Sequence, residues 1–177
     1  MSELKTIRDI AGLGDESTSI SDSPLIIIDA QNTYCEGIMK LDGMEKALKE
    51  CSLLLDRFRK AGRPVFHIQH DAGEPVITKN YPNSFVGTEL DALLKKAGIQ
   101  NLILAGFMSH MCVNSTARGA FSLGYRATVV AAATASRSLP LKATGEVIPA
   151  AQVHSAALAA LSDLPAAVVG SSANVPD

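Results

Sequence analysis

"VGTELDALLKKAGIQNLILAG" occupies residues 86 to 106 and holds a helix, its stop signal and the strand that follows. Leu90, Leu93 and Leu94 recur at helical spacing and make one apolar face, with Thr88 standing where an N-cap hydroxyl belongs and Gly98 closing the segment. The run "NLILAG" at 101 to 106 then offers no polar face at all. A strand of that kind is buried on both sides, as in parallel sheets whose crossovers are helices.

The same grammar extends in both directions. "PLIIID" (24 to 29), "PVFHIQ" (64 to 69), "ATVVAA" (127 to 132) and "AAVVG" (166 to 170) are short, apolar and rich in β-branched residues. Between the first two, Ala47, Leu48, Cys51, Leu54, Leu55 and Phe58 follow helical spacing up to Gly62, which makes Cys51 a core residue. Residues 112 to 123 and 149 to 161 supply two further helices, the second started by Pro149. The alternation predicts an α/β fold, a three-layer α/β/α sandwich around a mainly parallel, Rossmann-like sheet. A single domain is expected over 1–177, with 1–22 as an N-terminal extension, and "SRSLPLKATGEV" (136 to 147) reads as a loop. No G-x-G-x-x-G follows the first strand, so no dinucleotide is expected and no cofactor is predicted.

Composition narrows the partners. With 16 Lys plus Arg against 18 Asp plus Glu and no basic block, the chain offers nothing to a polyanion, and no Trp, three Tyr and five Phe supply no stacking platform. Nucleic acid is excluded on that reading. The N-terminus "MSELKTIRDIAGLGDESTSISDS" lacks the apolar core of a signal peptide, and no run is long enough to cross a bilayer, so a cytoplasmic protein without a membrane partner is expected. Cys35, Cys51 and Cys112 are scattered and odd in number, which predicts free thiols.

In doubly wound sheets ligands bind beyond the carboxyl ends of the strands. Three segments reach that end: "DAQNTY" from Asp29, "ITKNYPNSF" (77 to 85) and "GFMSHMC" (106 to 112). Cys112 opens a helix, where free N–H groups and the helix dipole favour a thiolate and offer donors to an oxyanion. An aspartate ending a buried strand requires a partner, and Lys79 is the natural one. Taken singly, each residue also fits an ordinary role: a turn aspartate, a solvated lysine, a small buried thiol.

Together their surroundings decide. "LIIIDAQNTY", "KNYPNSFVGTEL" and "LAGFMSHMCVNSTARGAFSLGY" resemble, in order and spacing, the signature segments of the isochorismatase-like cysteine hydrolases, over roughly residues 24 to 170. The resemblance implies an α/β/α sandwich and an Asp–Lys–Cys triad falling on Asp29, Lys79 and Cys112. It implies a cis peptide at Phe107–Met108, with the N–H groups of Met108 and Cys112 forming an oxyanion hole. It implies hydrolysis of a small amide-type substrate through a thioester, and assembly as a homodimer or homotetramer. Relatives that cleave a vinyl ether work through the aspartate without the thiol, and a non-turnover oligomeric or redox-responsive relative is a further alternative.

The chain departs from the nicotinamidases of this family, which carry a metal site after the second strand. Here "HIQHDAG" places His67 and His70 on opposite sides of a strand by alternation, so no metal is predicted. Tyr34, Phe85, Phe107, Met108 and His110 are expected to line the mouth of a small, partly apolar pocket, with His70 as a substrate contact. Cys35 is a second exposed-thiol candidate, and His154 receives no role.

Overall fold

The computed structural model describes residues 4–68 and 76–177. A one-turn helix α1 (Ile7–Ile10) leads to β1 (Leu25–Ile28), α2 (Met44–Lys60), β2 (Val65–Ile68), β3 (Val76–Ile77), α3 (Leu90–Lys96) and β4 (Asn101–Phe107). Then come α4 (Cys112–Ser122), β5 (Arg126–Ala135), β6 (Leu139–Leu141), β7 (Glu146–Ile148), α5 (Ala150–Ser162) and β8 (Ala166–Val169). Six strands form a parallel sheet in the order β3-β2-β1-β4-β5-β8. The five apolar runs of the sequence are five of these strands.

Their lack of a polar face follows from the layers. Leu25, Ile27, Val65, Ile103, Ala105 and Val130 pack against Cys51, Leu54 and Phe58 of α2 on one side. Ile26, Ile28, Phe66, Ile68, Leu102, Leu104 and Val129 pack on the other against Leu90 and Leu94 of α3, Val113 and Ala117 of α4 and Leu161 of α5. Alternate residues of each strand are therefore buried on opposite faces, which is why each strand reads as continuously apolar. The chain is a three-layer α/β/α sandwich.

Two local expectations need correction. The segment expected as a loop folds into an antiparallel hairpin, with Leu139 opposite Ile148 and Leu141 opposite Glu146. Strands of three residues, one holding Pro140, carry too little alternation to be read. β3, two residues long, is likewise too short to be read from the sequence. The N-cap of α3 is Glu89; Thr88 instead accepts the Leu90 N–H at 3.3 Å and donates to the Ser84 carbonyl at 2.6 Å.

The N-terminal extension is tied to the sandwich by a buried arginine. Arg8 donates to the carbonyls of Gly14 at 2.6 Å and Leu164 at 3.0 Å. Among the described residues, no helix is long and apolar enough to cross a membrane.

The strand order reverses between β1 and β4, each of which pairs with the other and with a neighbour on its far side. Crossovers leave such a pair in opposite directions and open a crevice at its carboxyl end. Ile28 is opposite Gly106 in that ladder, so Asp29 and Phe107 leave the sheet side by side.

Candidate active site

Asp29 ends β1 in an unusual backbone conformation. Its φ of 47° lies in the left-handed region that a non-glycine residue rarely enters, a mark of sites where the surroundings over-determine the chain. The Asp29 N–H donates to the Ile68 carbonyl at 3.1 Å, and the Asp29 carbonyl accepts from Gln31 at 2.9 Å. The carboxylate is turned inward, and the residue as a whole is 5% exposed. A carboxylate so buried is costly unless paired, and Lys79 Nζ meets its Oδ2 at 2.7 Å.

Lys79 reaches that position from the segment after β3. The segment is pinned to α4: the Ser84 N–H donates to Thr116 Oγ1 at 3.1 Å, and the two hydroxyls are 2.9 Å apart. Gly119 allows this approach, since a Cβ there would stand 2.5 Å from the Asn83 side-chain amide. Cys112 is the first residue of α4, and Lys79 Nζ donates to its Sγ at 3.4 Å. One ammonium thus joins a carboxylate and a thiol that are 83 residues apart in the chain.

The strand that leads to the thiol carries a special glycine. Gly106 has φ 112°, and a Cβ there would lie 1.9 Å from the Ile28 carbonyl oxygen. No other residue fits between β1 and β4 at this point. The Phe107–Met108 peptide is cis. The Met108 carbonyl accepts from Met111 at 3.0 Å and from Val113 at 3.2 Å. Among the described residues, neither the Met108 N–H nor the Cys112 N–H donates to a backbone oxygen.

The electrostatics correct one expectation. Burial, followed by the hydrogen bond and charge of Asp29, pushes the Cys112 thiol up to about 11, although Lys79 pulls the other way. A position at a helix start favours the thiolate, but desolvation and a neighbouring carboxylate outweigh it. These surroundings favour the protonated thiol of Cys112. For Lys79, burial opposes the charge, yet the carboxylate and sulfur beside it hold its pKa above the ordinary lysine value. Tyr34 is pushed up to about 12 by burial, then by Asp29 and Cys112, which places its hydroxyl in the same field.

The remaining expected residues are dispersed. Tyr34 is half-buried and meets Phe107 edge to face, with ring centroids 6.2 Å apart. Phe107 is fully buried and backs Tyr34, so it does not line the mouth; Met108 is buried beside it. Phe85 turns away, stacked on Tyr125 at 5.6 Å near the amino-terminal end of β5. Its side chain completes the α3–α4 layer and is not at the carboxyl end of the sheet. His110 is half-buried, bonds Ser136 through Nδ1 at 2.7 Å and lines a groove with Leu139, Ile148 and Val153. His67 is buried in β2, while His70 and Asp71 lie outside the described residues. Cys35 is exposed and Cys51 is buried, its thiol donating to the Ala133 carbonyl at 3.3 Å.

Among the described residues, no group of three His, Cys, Asp or Glu side chains could hold a metal ion. Sequence reading missed Ser84 and Thr116, which anchor the segment that carries the lysine, and Ser109, Ser136 and His154, which form a polar chain at the turn before α4. No periodicity marks them, since each acts through a contact between distant segments.

Comparison with known proteins shows the family. The isochorismatase domain family matches residues 23–73 and 67–173. The secreted isochorismatase effector Isc1 of Verticillium dahliae is 31% identical over 95% of this chain and 98% of its own length. The isochorismatase family protein YddQ of Bacillus subtilis is 36% identical over 81% of this chain and 93% of its own. The crystal structure of an isochorismatase from Pseudomonas putida superposes with a TM-score of 0.91, at 36% identity, covering 98% of this chain and all of that one. The chain belongs to the isochorismatase family and is a hydrolase.

Proposed function

We propose that the protein is a cysteine hydrolase of small amide-type substrates, with Asp29, Lys79 and Cys112 as its catalytic residues. The observation that carries the reading is the position of Lys79 Nζ, 2.7 Å from Asp29 and 3.4 Å from Cys112. An amide-type bond is further supported by the ureidoacrylate amidohydrolase RutB of Serratia proteamaculans, 40% identical over 70 residues that make up 40% of this chain and 28% of that one.

In this mechanism the thiol of Cys112 is protonated at rest and gives its proton to Asp29 as it attacks the carbonyl carbon. The new negative oxygen is received by the N–H groups of Met108 and Cys112. Asp29 returns the proton to the leaving nitrogen, the C–N bond breaks, and an S-acyl Cys112 remains. A water then gives its proton to Asp29, adds to the thioester carbonyl and releases the acid, and the proton returns to sulfur. Lys79 stays charged throughout and holds the carboxylate and the developing thiolate in register.

The substrate is a small molecule, with Tyr34 the residue best placed to meet it beside the triad. The groove between α4, α5 and the hairpin, with Leu141 and Val147 exposed at its edge, supports a homodimer or homotetramer as the working form. The compartment we propose is the cytoplasm; the Verticillium dahliae relative is a secreted protein by name.

A panel of small primary amides and ureido compounds, followed by product release and by intact mass, tests the reading. Turnover with an acyl adduct on Cys112 is expected, together with loss of at least roughly a thousandfold in Cys112→Ala. Retained amide turnover in Cys112→Ala would overturn the thioester route. A parent protein that forms no adduct at Cys112 with any acyl donor would overturn the cysteine-hydrolase reading itself.

A further inference from the structure

Two histidines that the triad does not use are joined by two buried serines. His154 Nδ1 of α5 lies 3.0 Å from Ser109 Oγ, Ser109 Oγ lies 2.9 Å from Ser136 Oγ, and Ser136 Oγ lies 2.7 Å from His110 Nδ1. Ser109 is fully buried and Ser136 is 2% exposed. The Ser109 N–H and hydroxyl both reach the Ala135 carbonyl, at 2.9 and 3.2 Å. Ser109 directly follows Met108, whose N–H is one of the two oxyanion donors of the proposed reaction.

Proton counting gives this chain a direction. Ser109 Oγ has three partners and Ser136 Oγ has two, but each hydroxyl carries one proton. If Ser109 donates to Ala135, then Ser136 must donate to Ser109, and both imidazoles must donate from Nδ1. All four contacts are made at once only in that arrangement. Burial holds the pKa of His154 below the ordinary histidine value, and burial with the Arg137 charge does the same for His110, which favours the neutral form of each ring. The imidazole of His154 is thereby the terminal donor of a satisfied network, and α5 is linked to the turn that leads into Cys112. Fully satisfied buried networks rigidify what they hold, whereas a missing member leaves the others unpaired.

We propose that His154 is a positioning residue that acts through the Ser109 hydroxyl to hold the Met108 N–H where the oxyanion forms, an inference that rests on the thioester reading above. It touches no reacting atom. Its removal leaves the thiol, Asp29 and Lys79 in place and loosens one donor of the oxyanion hole.

The test compares two reactions of the same sulfur, each located at Cys112 by mass spectrometry. Acetylation by p-nitrophenyl acetate passes through an oxyanion, while alkylation by iodoacetamide does not. In His154→Leu, acetylation of Cys112 is expected to fall about tenfold and alkylation to stay within about twofold, since losing a whole oxyanion donor costs roughly a hundredfold or more. His154→Asn, which keeps an N–H donor near the Nδ1 position, should recover most of the loss. Ser109→Ala should lose at least as much as His154→Leu, and the double variant should be no worse than Ser109→Ala, because both remove the His154–Ser109 contact. Should His154→Leu fail to fold, Ser109→Ala and the rescue by asparagine carry the comparison. An unchanged ratio of the two rates in all variants, or a parallel fall in both rates that asparagine does not rescue, overturns the positioning role. If the parent itself is alkylated but never acetylated at Cys112, the cysteine-hydrolase reading falls and takes the positioning role with it.

Discussion

Lys79 Nζ stands 2.7 Å from Asp29 Oδ2, and the pair is almost wholly removed from water, with side chains 8% and 7% exposed. A buried ion pair contributes little net stability once desolvation is counted, yet losing one partner leaves a stranded charge. The proposed chemistry accounts for the placement, because the same ammonium also faces the Cys112 sulfur. A base that must take a proton from a thiol, hold it and return it to nitrogen needs a fixed counter-charge that does not itself titrate. Lysine, held above its ordinary pKa here, supplies that.

Alkylation of Cys112 is expected to rise steeply with pH, toward a midpoint near the thiol's value of about 11. Thiolate is the reactive form, so a raised pKa slows reaction at neutral pH. Asp29→Asn removes a group that raises that value and should move the midpoint down. Lys79→Ala removes one that lowers it and should move the midpoint up. Opposite shifts in the two variants, read by mass spectrometry from pH 7 to 11, are the expected outcome; shifts in the same direction would contradict this electrostatic account.

Gly106→Ala should prevent folding or cost at least about 3 kcal/mol, since its Cβ would sit 1.9 Å from the Ile28 carbonyl at a φ of 112°. Denaturant unfolding checks this. A variant within 1 kcal/mol of the parent would show that the β1–β4 approach relaxes freely, against the packing seen here.

Phe85 and Tyr34 should separate in their effects. Phe85→Ala removes a ring stacked on Tyr125 and is expected to cost about 2 to 3 kcal/mol of stability with KM unchanged. Tyr34→Ala should leave stability within about 1 kcal/mol and raise KM, as its half-buried ring stands beside Asp29 and Cys112. Thermal unfolding and steady-state kinetics on the same preparations decide between these roles.

Thr116→Val strips the hydroxyl that accepts the Ser84 N–H and meets its Oγ. An expected loss of about 1 to 3 kcal/mol follows from the buried groups left unpaired. Because that contact anchors the segment carrying Lys79, the alkylation midpoint of Cys112 should also rise toward that of Lys79→Ala. A midpoint identical to the parent's would mean that Lys79 is held by Asp29 alone.

Several features were determined by the sequence alone. The apolar runs at 24 to 29, 64 to 69, 101 to 106, 127 to 132 and 166 to 170 each became a strand of the sheet, because an unbroken apolar run is stable only when helices cover both faces. The helices between them followed from apolar spacing and their glycine stops. Asp29, Lys79 and Cys112 could be named because the segments around them carry a family's pattern, and the fold draws those three side chains together. Short-range signals reach that far. They do not set the protonation of Cys112, which the helix start alone would favour as thiolate, since burial and the Asp29 charge come from elements brought together only on folding. Nor do they place Phe85, whose stacking partner Tyr125 lies 40 residues away, or the link from His154 to Ser109 across 45 residues. Hairpin strands of three residues are also too short for a period of two to register. Desolvation, contact distance and hydrogen-bond partnership are properties of neighbours in space, and the tertiary structure alone decides who those neighbours are.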